Sequence, residues 1–263
     1  MRIDAYVNSL VEEGVLLASA AEAAGTGSDV PTCPGWQVRG LLRHTGTVHR
    51  WATLHVAHGH RDPQPDGGEP DLDGAELLAW FREGHAALVA ALRAAPADLE
   101  CWTFLPAPSP LAFWARRQAH ETAVHRMDAE AATGAQLSGV SPEFALDGID
   151  ELLTAFHGRA RSRVRTDRPS TLRIRATDTG TAPPGSIGDS TGTAPAAVWT
   201  LYLSKDAPPR TVRDDEGPAD TELSGPPELL YATLWNRLPT EAVTLTGDPE
   251  PAAVWRELSG ITW

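Results

Sequence analysis

Glu121 and His125 stand four residues apart in the run Phe113-Trp114-Ala115-Arg116-Arg117-Gln118-Ala119-His120-Glu121-Thr122-Ala123-Val124-His125-Arg126-Met127-Asp128. The run is rich in helix formers, holds no Gly or Pro, and predicts a helix. Four residues is about one turn, so the carboxylate and the imidazole leave one face, one above the other. That spacing lets a helix offer two ligands to a divalent metal. The order His-Glu-x3-His is one residue longer than the HExxH pattern, and the difference decides the pairing. His120 and His125 diverge by about 140° around the axis, so the candidate pair is Glu121 with His125 and His120 points elsewhere.

One face of this helix reads Trp114, Arg117, Glu121, His125 and Asp128. Burying such groups is costly unless they are paired or bound to metal, and a solvated face laced with i,i+4 ion pairs is the plain alternative. The second helix tips the balance, because Leu41-Leu42-Arg43-His44 sets His44 beside an apolar ridge of Val38, Leu41, Leu42 and Val48. A metal held between bundle helices needs such a ligand from a neighbouring helix. Two imidazoles and one carboxylate leave coordination positions open, as catalytic zinc sites do, although iron or nickel suits the same donors. A core histidine bonded to a carbonyl is the alternative for His44. His55 lies on the same side but about 16 Å further along the axis, and His49, His55 and His58 are expected at the surface. Trp36 and Trp51 are expected in the core rather than as stacking platforms. Asp128 either orients a ligand from behind or pairs with Arg117 or Arg126, the structural role being preferred.

The elements that must position these groups alternate with Pro/Gly breaks. Helices are predicted over 3–24, 36–58, 75–95 and 111–133, with a Pro/Gly/Asp loop over 59–74 and Gly134 as the final stop. Four such helices with short or medium loops read as a four-helix bundle occupying 1–137. From 138 to 263 the character changes to a small α+β domain. A helix over 142–161 starts at Ser141 as N-cap with Pro142 in the first position. Strands are predicted over 172–176, 198–203 and 242–245, helices over 226–237 and 249–258, and a Gly/Thr/Pro/Asp loop from Thr177 to Pro195.

Composition narrows the function classes. With 263 residues, 41% hydrophobic and nine Trp, the chain has material for one large or two modest domains. A net charge of −13 argues against a nucleic-acid partner. The two cysteines, Cys33 and Cys101, make no disulfide framework and no CxxC pair. Cys33 precedes Pro34 in a helix-entry turn and Cys101 adjoins Trp102, so both are read as structural rather than nucleophilic. No apolar run reaches the ~20 residues of a membrane span, and Met1-Arg2-Ile3-Asp4 lacks the apolar core of a signal peptide, so a cytoplasmic place is expected. Abundant Ala, Arg, Gly and Pro suggests a GC-rich bacterial genome.

The segment Pro31-Thr32-Cys33-Pro34-Gly35-Trp36-Gln37-Val38 with Leu41-Leu42-Arg43-His44, followed by Arg117-x3-Glu121-x3-His125-x2-Asp128, resembles the mycothiol-dependent maleylpyruvate isomerase family. In the second half, Leu234-Trp235-Asn236-Arg237-Leu238-Pro239 and Thr246-Gly247-Asp248 resemble that family's C-terminal signature. The resemblance implies a DinB-like metal-binding bundle joined to a small α+β domain. It implies His44, Glu121 and His125 as zinc ligands, and Arg237 as an arginine that faces the metal and binds an anionic group of cofactor or substrate. With Asp128, Arg237 makes up the candidate catalytic set. The implied cofactors are a divalent metal and mycothiol, the thiol being ionised by the metal's charge. Addition of the thiolate to an alkene, rotation and elimination would give cis–trans isomerisation, and attack on another electrophile would give S-transfer. A small electrophile is the expected partner, with no nucleic acid and no membrane, in a monomer or weak dimer. The alternative is a non-catalytic DinB-like metal- or ligand-binding module. The Thr177 to Pro195 segment does not map onto the family pattern, which leaves the substrate open.

Overall fold

Ser109, Pro110 and Gly134 set the ends of the helix that carries Glu121 and His125. The Ser109 hydroxyl accepts the Ala112 N–H, Pro110 occupies the first turn, and Gly134 adopts the left-handed conformation (φ 74°) that ends the helix. In the computed structural model, residues 1–177 and 197–261 are described. They divide into two compact units, Met1–Ser138 and Gly139–Trp263.

The first unit holds α1 (Ile3–Ala24), α2 (Val38–His58), α3 (Gly74–Ala94) and α4 (Pro110–Thr133). Helix α1 packs along α4 and α2 along α3; contacts of α1 with α3 and of α2 with α4 close the four-helix bundle. Leu17 and Ala21 of α1, Leu41 and Leu42 of α2, and Leu77 and Phe81 of α3 meet in one fully buried core. Close approach of α2 and α3 needs glycine: a Cβ on Gly46 would overlap the Trp80 ring, and one on Gly84 the Arg50 guanidinium. That guanidinium lies 3.7 Å over the same Trp80 ring, a cation–π contact that locks the pair.

The second unit holds α5 (Pro142–Asp150), a π-helical turn (Glu151–Phe156), β1 (Ser170–Ala176), β2 (Ala197–Leu203), β3 (Arg210–Arg213), β4 (Thr221–Gly225), α6 (Pro227–Leu234), β5 (Thr244–Gly247) and α7 (Glu250–Leu258). The strands form one mixed sheet in the order β3-β2-β1-β4-β5, antiparallel except for the β1–β4 pair. Leu172 and Ile174 stand opposite Leu201 and Trp199 and are buried, while Arg173 and Arg175 alternate to the other face. On that face Arg175 pairs with both Glu216 and Glu222.

Several elements differ from the sequence expectations. The helix expected over 142–161 changes to π geometry at Glu151, where the Thr154 hydroxyl donates to the Asp150 carbonyl and competes for its helical bond. Strands β3 and β4 were not anticipated: each is short and polar, and its pairing is supplied by β2 or β1 rather than by its own pattern. The strand expected over 242–245 is displaced to Thr244–Gly247 by a 3-10 turn at Thr240–Ala242. The loop expected from Thr177 to Pro195 lies, beyond Thr177 itself, outside the described residues. Among the described residues no helix is long and apolar enough to cross a membrane.

Candidate metal centre

His44 is aimed by the core beneath it. Val38, Leu41 and Leu42 of α2 are fully buried against α1 and α3, which fixes the rotation of α2 and turns His44 toward α4. There its Nε2 lies 3.3 Å from Glu121 Oε1, and His125 Nε2 lies 3.2 Å from the same oxygen. The two imidazole rings meet edge to face, with centroids 5.1 Å apart. One ligand atom from each of His44, Glu121 and His125 falls within 4.8 Å of the other two. The solvated-face alternative for this side of α4 is excluded, since Arg117, Glu121, His125 and Asp128 are all buried.

The arrangement fits a divalent cation. Bonds of about 2.0–2.1 Å in tetrahedral geometry place neighbouring donor atoms about 3.3 Å apart, close to the two separations seen here. The outer contacts aim the donors in the required sense. Asp128 Oδ2 lies 2.9 Å from His125 Nδ1, so in the neutral ring the proton sits on Nδ1 and Nε2 can present a lone pair inward. Arg117 Nη2 lies 3.4 Å from Glu121 Oε2, on the carboxylate oxygen that the histidines do not share.

Protonation follows from these neighbours. Burial alone would lower the His125 pKa, but the hydrogen bonds and charges of Asp128 and Glu121 raise it to about 9. Burial works to raise the Glu121 pKa, yet bonds from His125 and His44 and the charge of Arg117 hold it well below the usual carboxylate range. Without a cation, then, His125 is an imidazolium between two carboxylates. A cation would take the place of its Nε2 proton.

The other expected site residues are distributed as follows. His120 is fully buried and faces Tyr6 of α1, away from the cluster. Asp128 bonds the candidate ligand His125 and Thr32, while the ion pairs of Arg126 run to Glu13 and Glu130. Arg237 lies in the second unit, half-buried in the bend after α6, where Nη1 donates to the Trp235 carbonyl at 2.7 Å. Cys101 is partly buried and its thiol is pushed up by burial, contrary to what a nucleophile needs; Cys33 packs beside the bundle core.

Three placements correct the sequence reading. His49 and His55 are fully buried rather than at the surface, whereas His58 is exposed. His49 donates to Thr122 Oγ1 at 2.9 Å, that hydroxyl giving its own proton to the Gln118 carbonyl, and burial keeps the ring neutral. His55 stacks on Trp114 and contacts Trp102 and Trp51, aromatic cover that comes largely from other segments. Trp36 is not core: it is 37% exposed, with its ring 5.3 Å from that of His44. Thr32 was also missed as a site residue, because its partner Asp128 is 96 residues away in sequence.

The family model described as the mycothiol maleylpyruvate isomerase N-terminal domain matches residues 7–130, and that of the MDMPI C-terminal domain matches residues 143–253. Crystal structures of a mycothiol-dependent maleylpyruvate isomerase and of a histidine-to-alanine mutant of such an enzyme superpose with TM-scores of 0.59 and 0.61. Each is 13% identical, over 94% of this chain and 93% of that one, and at this identity the likeness is one of fold. No curated protein matches the sequence.

Proposed function

The chain belongs to the mycothiol maleylpyruvate isomerase family, and on that premise we propose that it is a metal-dependent enzyme using mycothiol against a small electrophile. The observation that carries this reading is the convergence of His44 Nε2, Glu121 Oε1 and His125 Nε2, each aimed by a contact behind it. Two neutral imidazoles and one carboxylate leave a bound divalent ion with net positive charge, and zinc suits the donors best. When bound, the ion supplies the field that ionises a thiol near neutral pH.

The chain's own groups have distinct tasks in this scheme. His44 and His125 present neutral lone pairs, and Glu121 supplies the single negative charge. Arg117 holds the second Glu121 oxygen, and Asp128 keeps the His125 proton on Nδ1. Asp128 is thus a positioning residue rather than a catalytic one. Burial pushes the Cys101 thiol up and Cys33 packs beside the bundle core, so the nucleophilic sulfur is assigned to the cofactor. Arg237, on the resemblance of the Leu234 to Pro239 segment, is assigned an anionic group of the thiol or substrate, for which a guanidinium fork is suited. Isomerisation and S-transfer need the same residues and differ in the electrophile.

The test is an assay of zinc-loaded protein, stripped of small molecules, with maleylpyruvate and a panel of electrophiles, with and without mycothiol. Turnover that requires both the metal and mycothiol is expected, with KM raised in Arg237→Met. Full turnover without a thiol would overturn the proposal. Binding of metal and mycothiol with no turnover of any electrophile would replace it with the non-catalytic module.

A further inference from the structure

The turn that leads into α2 reaches two of the three candidate ligands, His44 directly through Trp36 and His125 through Asp128. Thr32 Oγ1 donates to Asp128 Oδ1 at 2.5 Å, and the other oxygen of that carboxylate is the one bonded to His125 Nδ1. Asp128 is fully buried. A buried carboxylate with one oxygen tied to a hydroxyl has its plane fixed, and with it the direction from which Nδ1–H is held. Four residues on, Trp36 meets the His44 ring edge to face at 75°.

The turn is built to hold these two side chains in place. Val30 N–H donates to the Trp36 carbonyl, Cys33 N–H to the Val30 carbonyl and Trp36 N–H to the Cys33 carbonyl. Pro31 and Pro34 restrict the backbone, and Gly35 takes the positive φ (87°) that closes the loop. Trp36 keeps 37% of its surface exposed, and its ring lies 5.3 Å from that of His44.

We propose that the Pro31 to Trp36 turn is a positioning element of the metal centre, in which Thr32 fixes His125 through Asp128 and Trp36 fixes the ring of His44. The inference rests on the metal-centre reading and deepens it. It makes one segment, outside the helices that carry the ligands, responsible for the orientation of both histidines.

The test measures Co2+ affinity by competition with a chromophoric chelator, the visible spectrum of the Co2+ form, and the melting temperature of the metal-free protein. Thr32→Val should weaken Co2+ binding by up to about 10-fold, the low end of the cost of losing the partner directly behind a ligand, which here is Asp128. It should also shift the visible bands, and Thr32→Ser, which keeps the hydroxyl, should restore both. Trp36→Ala should weaken binding, and Trp36→Phe, which keeps a ring edge beside His44, should recover most of it. A lowered melting temperature with unchanged Co2+ affinity and spectrum in Thr32→Val and Trp36→Ala would show that the turn is structural only and overturn the proposal. Failure of the wild-type protein to take up one equivalent of Co2+ would instead sink the metal centre, and this inference with it.

Discussion

Helix α4 carries two buried ionic clusters on opposite sides, built from similar residue types with different outcomes. Toward α1, the Arg126 guanidinium gives Nε to Glu13 at 2.7 Å and Nη1 to Glu130 at 2.7 Å, with Ser138 O as a further acceptor. Donors there point at acceptors and the cluster is closed. Toward α2, three groups able to offer lone pairs, His44, Glu121 and His125, point at one another. In the absence of a cation, protons on Nε2 of both His44 and His125, donated to Glu121 Oε1, reconcile them. The contrast teaches how to read buried charge: a set of matched donors and acceptors is structural, and a set of groups whose lone pairs converge is a candidate site.

The largest expected effect breaks the α2 side. His125→Ala or Glu121→Ala leaves two of three ligands, and elemental analysis should find the stoichiometric metal lost while the helical unit stays folded. Retention of one tightly held metal by the Glu121→Ala, His125→Ala double variant would refute the assignment.

The second prediction breaks the α1 side. Arg126→Met strands Glu13 and Glu130 against one another in a buried setting and should cost about 3–5 kcal/mol in unfolding free energy. Its affinity for zinc, measured by competition in the folded protein, should stay at the wild-type value. Equal damage to zinc binding from both sides would erase the distinction drawn above.

The third sharpens the comparison through pH. The His125 pKa is raised from 6.5 to about 9 in the folded, metal-free chain. A raised pKa contributes stability that is complete below about 6.5 and is lost as pH climbs through about 9. Metal-free protein should therefore lose stability over that window. Zinc binding displaces the same proton, so affinity should rise with pH across it. Calorimetry in buffers of different ionisation enthalpy should find about one proton released per zinc at pH 7; release of none would show that His125 is already neutral.

The smallest effect is expected at the thiols. Cys33→Ser with Cys101→Ser places two hydroxyls in partly buried positions, at a cost of about 1–3 kcal/mol each. Mycothiol-dependent turnover should remain near the wild-type rate, and its abolition in folded protein would restore a role for a protein thiol.

How much of this was legible along the chain depends on where each group's partner lies. The four bundle helices were readable because their caps and breaks are local: Ser109, Pro110, Gly134 and Gly59 act within a few residues of the ends they set. The Glu121–His125 pair was readable for the same reason, since one helical turn fixes their common face. β3 and β4 were not readable, because four or five polar residues become strands only when β2 and β1 offer hydrogen bonds.

Tertiary structure decided the rest. His49 and His55 look like surface residues on a helix that also carries Arg43, Arg50 and His58, and became buried only when Phe81, His85 and the Trp102–Trp114 aromatics closed over them. Asp128 bonds His125 on its own helix and also a hydroxyl from the distant α1–α2 turn. Trp36, a residue type that belongs in a core, was left at the surface beside His44. The sequence by itself determined the bundle helices, the candidate ligand types and the one-turn spacing on α4, because helical period and capping are short-range. Which side chains stand behind those ligands, and which polar groups are dry, was decided by packing between segments whose separation in sequence carries no trace of their contact.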